Sequence, residues 1–146
     1  MTDPKKSPIW QQQESLGATF MELWGWLWTA SFGDVGDEYA AIRGGAGVSD
    51  LTPIQKWEFS GPEAFDALDR IHSNDLASMA DEQVRYGALV DEDGAMVDDA
   101  LVYRLSDDRW WLLTNSAALT GYFDQTVGHL DCRVEDFTDA FAVISI

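Results

Sequence analysis

The stretch VRYGALVDEDGAMVDDALVYRL, Val84 to Leu105, constrains the fold more than any other part of the chain. Apolar and polar residues interleave on either side of Asp93-Gly94, a pair that readily takes the left-handed backbone of a tight turn, so two antiparallel strands joined there are predicted. Simpler signals place the neighbouring elements. IQKWEFSG (Ile54 to Gly61) alternates as a strand, and Ser60 with Glu63 makes a capping-box pair ahead of a helix whose apolar face carries Phe65, Leu68 and Ile71. RWWLLT (Arg109 to Thr114) is a further strand, and Asn115 is placed to cap a second helix with the stripe Leu119, Tyr122, Phe123 and Val127. Two last strands are expected near Cys132 to Val134 and Phe141 to Ile146. The order strand, helix, hairpin, strand, helix, strand predicts an α+β fold of the split β-α-β, ferredoxin-like kind, with both helices on one face of a mainly antiparallel sheet. FAVISI, the apolar run Phe141 to Ile146, carries no turn or polar tail and reads as a strand whose continuation is missing.

Upstream, EYAAIRGG from Glu38 predicts a short helix stopped by Gly44 and Gly45. FMELWGWLWTASF, Phe20 to Phe32, falls short of the roughly 18 apolar residues that span a bilayer and contains Glu22. Glu22 and Gly25 also interrupt the centre that a signal peptide needs, so the stretch is expected to pack through Trp24, Trp26 and Trp28. With 26 acidic residues against 9 Lys and Arg, the formal charge of -17 excludes a general binder of nucleic-acid phosphates and disfavours an anionic membrane surface. One cysteine, Cys132, permits neither an internal disulfide nor a thiolate cluster, and with only His72 and His129 no metal site is expected. A cytoplasmic location accompanies this composition.

Successive strand residues point to opposite faces, so Asp98 and Asp99 cannot both enter one pocket. The even set Met96, Asp98, Ala100, Val102 and Arg104 is mixed, whereas the odd set Val97, Asp99, Leu101, Tyr103 and Leu105 is apolar except for Asp99. A carboxylate on an apolar face must be paired, hydrogen-bonded or protonated, and desolvated acids of this kind also serve binding and catalysis. Parity alone leaves open whether Asp99 anchors a loop amide or acts on a ligand. The remaining chemistry is weak. Gly44-Gly45-Ala46-Gly47 fits neither common phosphate loop and is a helix stop; Cys132 is a small core residue; His72, at the end of a helix, favours its dipole.

Taken in order, SPIW (Ser7 to Trp10), LGATFMELWGW (Leu16 to Trp26), EYAAIRGGAGVSDL (Glu38 to Leu51), SGPEA (Ser60 to Ala64), SNDL (Ser73 to Leu76) and the stretch from Arg85 to Asn115 resemble the N-terminal half of the glycine-cleavage T-protein family. These are the tetrahydrofolate-dependent aminomethyltransferases and their demethylase relatives. The resemblance implies that Asp99 is the catalytic aspartate, orienting the folate and assisting its nucleophilic ring nitrogen. It makes Tyr86 and Asn115 folate contacts, and Leu101 and Ile54 apolar pocket positions, with tetrahydrofolate as cofactor and a small methylated molecule as substrate.

Two departures qualify what the resemblance implies. Where the T-protein pattern reads DVSHM, this chain reads Asp50-Leu51-Thr52-Pro53-Ile54, so the donor need not be an aminomethyl-lipoyl arm, and Arg109-Trp110-Trp111 looks more like the demethylases. Family members are also more than twice as long. The expectation is therefore one incomplete folate-binding domain over residues 1–146, with residues 1–36 a tryptophan-rich extension packed on it. A second polypeptide would supply the rest of the fold, including cations for the folate's glutamate tail. A non-catalytic folate-binding or assembly subunit, and a truncated fragment, are the alternatives.

Overall fold

Alternation, turn residues and helical stripes translate into a definite set of elements in the computed structural model, which describes residues 3–116 and 118–146. In chain order these are α1 (Trp10–Ser15), β1 (Thr19–Leu23), β2 (Trp26–Ser31), α2 (Val35–Gly44), β3 (Ser49–Asp50), β4 (Gln55–Ser60), α3 (Ala64–Ile71), β5 (Val84–Val90), β6 (Met96–Ser106), β7 (Arg109–Thr114), α4 (Thr120–Thr126), β8 (Arg133–Asp136) and β9 (Ile144–Ser145). They divide into two compact units, one running to Pro53 and taking in Asp139–Ile146, the other made of Ile54–Thr138.

In the first unit the tryptophan-rich stretch is a hairpin, β1 against β2, which the sequence did not announce. Its turn is Trp24-Gly25, with φ of 53° and 76°, so a bulky residue occupies the left-handed region where Asn or Asp is usual. Trp28 offsets that strain by donating Nε1–H to the Leu23 carbonyl at 3.0 Å and meeting the Trp24 ring edge-on at 5.7 Å. α2 begins one turn earlier than its apolar run because Asp34 caps it, accepting from the amides of Gly36 and Asp37. FAVISI contributes only the two-residue β9, paired with β3.

The second unit is a five-stranded antiparallel sheet in the order β5-β6-β7-β4-β8. Its founding hairpin closes as expected: Gly94 sits at φ 78°, and the Asp91 carboxylate accepts from the amides of Asp93 and Ala95 at 3.0 and 2.8 Å. α3 and α4 belong to one core with one face of this sheet, where Trp57, Phe59, Val102, Trp110 and Leu112 are buried with Leu68, Ile71 and Phe123. Phe123 meets Trp57 and Phe59 edge-on at 5.1 and 5.3 Å. Each such side chain removed from water contributes about 1.5–3 kcal/mol, which is why the hydrophobic stripes of the two helices decide which face is covered.

Two expected caps do not form. Ser60 stays in the ladder, opposite both Arg109 and Arg133, so it cannot cap α3; Glu63 instead accepts the Asp131 amide at 2.6 Å. Asn115 does not cap α4, which starts at Thr120, because its amide and backbone are held by the two acids of β6. Among the described residues no helix is long and apolar enough to cross a membrane.

Candidate functional site

β6 separates Asp98 from Asp99 as strand parity requires, but the covered face is the even one. Ala100 and Val102 are 2% and 0% exposed, whereas Leu101 and Tyr103 are half-buried on the other face. The choice is made by neighbouring strands, since the register of β4 and β7 puts Trp57 and Leu112 in line with Val102.

Asp98 therefore lies at the margin of the core face and anchors the loop after β7. Its carboxylate accepts the backbone amides of Asn115 at 3.0 Å and Ser116 at 2.8 Å, along with the amide of Asp99 at 2.8 Å. Asp99 stands on the opposite face, held by side chains. The Tyr86 hydroxyl donates to Oδ2 at 3.0 Å, and the Asn115 side-chain amide donates to Oδ1 at 2.7 Å. Tyr86 is paired with Leu101 across β5 and β6, hence diagonal to Asp99, which is the geometry that lets the long phenol reach the acid.

Each Asp99 oxygen thus has one of these donors and keeps acceptor capacity for more. The hydrogen bond to Asp99, and then that carboxylate's charge, hold the Tyr86 phenol above the usual tyrosine range. Tyr86 is 62% exposed, so its hydroxyl is presented at the surface of the site rather than sealed in it.

Of the five residues singled out from sequence, Tyr86, Asp99 and Asn115 are joined by hydrogen bonds, and Leu101 lies beside them on the same face. Ile54 is half-buried immediately ahead of β4. Sequence reasoning assigned nothing to Lys56, yet it is 1% exposed and donates its ammonium to the carbonyls of Ile54 and Thr138, both at 3.1 Å. Its backbone pairs with Leu113, which pairs with Leu101, so Lys56, Leu113, Leu101 and Tyr86 form one row across four strands. The alternation that set Lys56 beside Ile54 and Glu58 was the available signal; its burial was not.

Further along this face, Glu58 accepts from Arg109 Nε and Trp111 Nε1, both at 2.9 Å, and the Arg109 bond holds its carboxyl below the usual range. His72 corrects its sequence reading. It is buried, and burial pushes its pKa down, which disfavours the charged form that the helix dipole would hold. A cavity of about 640 Å³ belongs to the first unit, lined among others by Ile9, Leu16, Trp28, Phe32, Ile42 and Val48. None of the five candidate residues lines it. Among the described residues no group of three or more His, Cys, Asp and Glu is arranged to hold a metal ion.

The fold is similar to that of a solved structure. The crystal structure of glycine cleavage system aminomethyltransferase T from Bartonella henselae superposes with a TM-score of 0.78 over 92% of this chain and 38% of that one, at 24% identity. In sequence, the GCVT N-terminal domain family model matches residues 9–146. The aminomethyltransferase of Lysinibacillus sphaericus is 30% identical over 145 residues, covering 97% of this chain and 40% of the relative. That of Symbiobacterium thermophilum is 34% identical over 112 residues, 77% of this chain and 30% of the relative. The chain belongs to the GCVT N-terminal domain family, and it spans about 40% or less of the length of these relatives.

Proposed function

We propose that this chain is the folate-binding N-terminal part of a tetrahydrofolate-dependent one-carbon transferase, completed by a second polypeptide. It would take a methyl or aminomethyl unit from an N-, S- or O-linked donor in the cytoplasm. The observation that carries this reading is the Asp99 carboxylate fixed between Tyr86 and Asn115 on the face of the sheet that the helices leave uncovered.

The residues present suit such a ligand. A carboxylate with free acceptor capacity, half-buried beside Leu101, matches a planar heterocycle that offers N–H donors, and charge-assisted bonds of this kind are the strong ones. When bound, tetrahydrofolate supplies the nucleophilic ring nitrogen that receives the one-carbon unit. Asp99 acts as the catalytic residue by orienting that ring and stabilising the positive charge that develops on its nitrogen, or accepting the proton that leaves it. Tyr86 and Asn115 each hold one Asp99 oxygen, so the carboxylate needs no reorganisation at the moment of reaction, while Leu101 and Ile54 provide apolar contact. With a charge of -17, this chain leaves the anionic glutamate tail of folate to cations of the partner.

Titration calorimetry with tetrahydrofolate, using the chain alone and the chain mixed with the product of an adjacent gene, tests the reading. One complex with folate-dependent transfer, lost in Asp99→Asn while folding is retained, is the expected result. Unchanged transfer and folate affinity in Asp99→Asn would remove Asp99 from the mechanism. Because the chain spans about 40% or less of these relatives, a non-catalytic folate-binding or assembly subunit is the second reading, supported if folate binds but every candidate partner leaves the complex without transfer.

A further inference from the structure

The contact between Tyr86 and Asp99 depends on where an edge strand lies. β5 is the outermost strand of its sheet, paired with β6 on one side only, and the exposed Tyr86 ring is not fixed by packing. On the free side, the segment after α3 does the work of a neighbouring strand. His72 bridges to Leu89, the Ser73 amide donates to the Ala88 carbonyl at 2.9 Å, and the Ala88 amide donates to Ser73 Oγ at 2.9 Å. Asn74 takes a further group of this edge, its side-chain amide donating to the Tyr86 carbonyl at 3.0 Å.

Asn74 is itself held on both sides. Its backbone amide donates to His72 Nδ1 at 3.3 Å, and its side-chain carbonyl accepts the Asp75 amide at 2.8 Å. The close approach uses the missing side chain of Gly87, where a Cβ would lie 2.6 Å from His72 Cε1 and 2.7 Å from Nε2. An asparagine suits the position because one end of its amide accepts from Asp75 while the other donates to Tyr86; an ionised Asp has no donor, and a Ser has only a single oxygen for both bonds.

We propose that Asn74 is a positioning residue for the Asp99 site: by holding the Tyr86 carbonyl at the free edge of β5, it keeps the Tyr86 hydroxyl on the Asp99 carboxylate. Its functional meaning rests on the folate reading given above. The tie matters because hydrogen bonds weaken steeply with distance, and a strand displacement of about 1 Å takes a 3.0 Å pair out of bonding range. Holding Tyr86 is a task for the Ser73-Asn74-Asp75-Leu76 loop that packing alone does not require, since Asn74 is exposed.

The test follows the ionisation of Tyr86 in the full chain, using tyrosine labelled with carbon-13 in the ring and Tyr86→Phe to identify its signal. In Asn74→Ala the Tyr86 titration midpoint falls toward its value in Asp99→Asn, and tetrahydrofolate affinity drops several-fold. A merely structural tie would lower the melting temperature and leave the Tyr86 midpoint where it was, and that result overturns the proposal. Ser73→Ala, which loses the bond to the Ala88 amide but keeps the backbone pairing, moves the midpoint the same way by less and answers the question if Asn74→Ala does not fold. The two readings fail separately. If tetrahydrofolate leaves every tyrosine signal unmoved both in the native chain and in its mixture with the product of the adjacent gene while Asn74→Ala shifts Tyr86, the positioning stands and the folate reading falls.

Discussion

Asp98 and Asp99 are adjacent in sequence, identical in chemistry and opposite in employment. Asp98 gives its carboxylate to the backbone amides of Asn115 and Ser116, and so shapes a loop. Asp99 gives its carboxylate to two side chains and retains room for a further donor. The difference arises from the two-residue period of a strand and from which face the helices cover. An acid bonded to backbone is committed to the fold, whereas a half-buried acid bonded to side chains on the face away from the helices can also serve a ligand.

Substitutions should split the pair along that line. The largest effect is expected from Asp99→Asn in the proposed complex, where transfer should fall by about 100-fold or more, while denaturant unfolding of the chain changes by less than about 1 kcal/mol. Comparable losses of stability and transfer would erase the distinction between the two acids. Asp98→Ala should do the reverse, removing about 2 kcal/mol of stability in the same unfolding experiment because three backbone amides lose a charged acceptor. An unchanged unfolding midpoint would show that the loop amides are satisfied by water.

Tyr86→Phe should be milder, costing about 1 kcal/mol of folate affinity by calorimetry with stability unaffected, since the ring is already exposed. The smallest effect is a pH dependence from the covered side of the sheet. Burial depresses the His72 pKa, so the folded state favours the neutral ring while the unfolded chain takes up a proton near the ordinary value of about 6.5. Its contribution is therefore complete above that value and is lost as pH falls below it. Urea unfolding compared at about pH 7.5 and about pH 5.5 should show a steeper loss in the native chain than in His72→Gln, and equal slopes would mean that His72 titrates as it does in the unfolded chain.

The same contrast between local and distant causes explains what could be read ahead of the structure. The hairpin at Asp93-Gly94, the stripe of Leu119, Phe123 and Val127, and the helix ended by Gly44 rest on interactions within a few residues, and they appear where expected. The Trp24-Gly25 hairpin was hidden because no turn residue stands at position 24, and its left-handed tryptophan is held by contacts with Trp28. The caps proposed for Ser60 and Asn115 failed because cross-strand pairing and the two acids claimed those residues first. At the candidate site, parity isolated Asp99, but nothing local linked it to Tyr86, 13 residues away, or to Asn115, 16 away.

The sequence by itself determined the strand and helix order of the second unit, the separation of Asp98 from Asp99 and the family resemblance, because alternation, turn chemistry and motif order are properties of neighbouring residues. Only the tertiary structure decided which face of β6 is covered, that Lys56 and His72 are buried, and that Asn74 reaches the Tyr86 carbonyl at the edge of the sheet. Those facts depend on the register between strands and on side chains that meet across the fold, and no short window of sequence contains them.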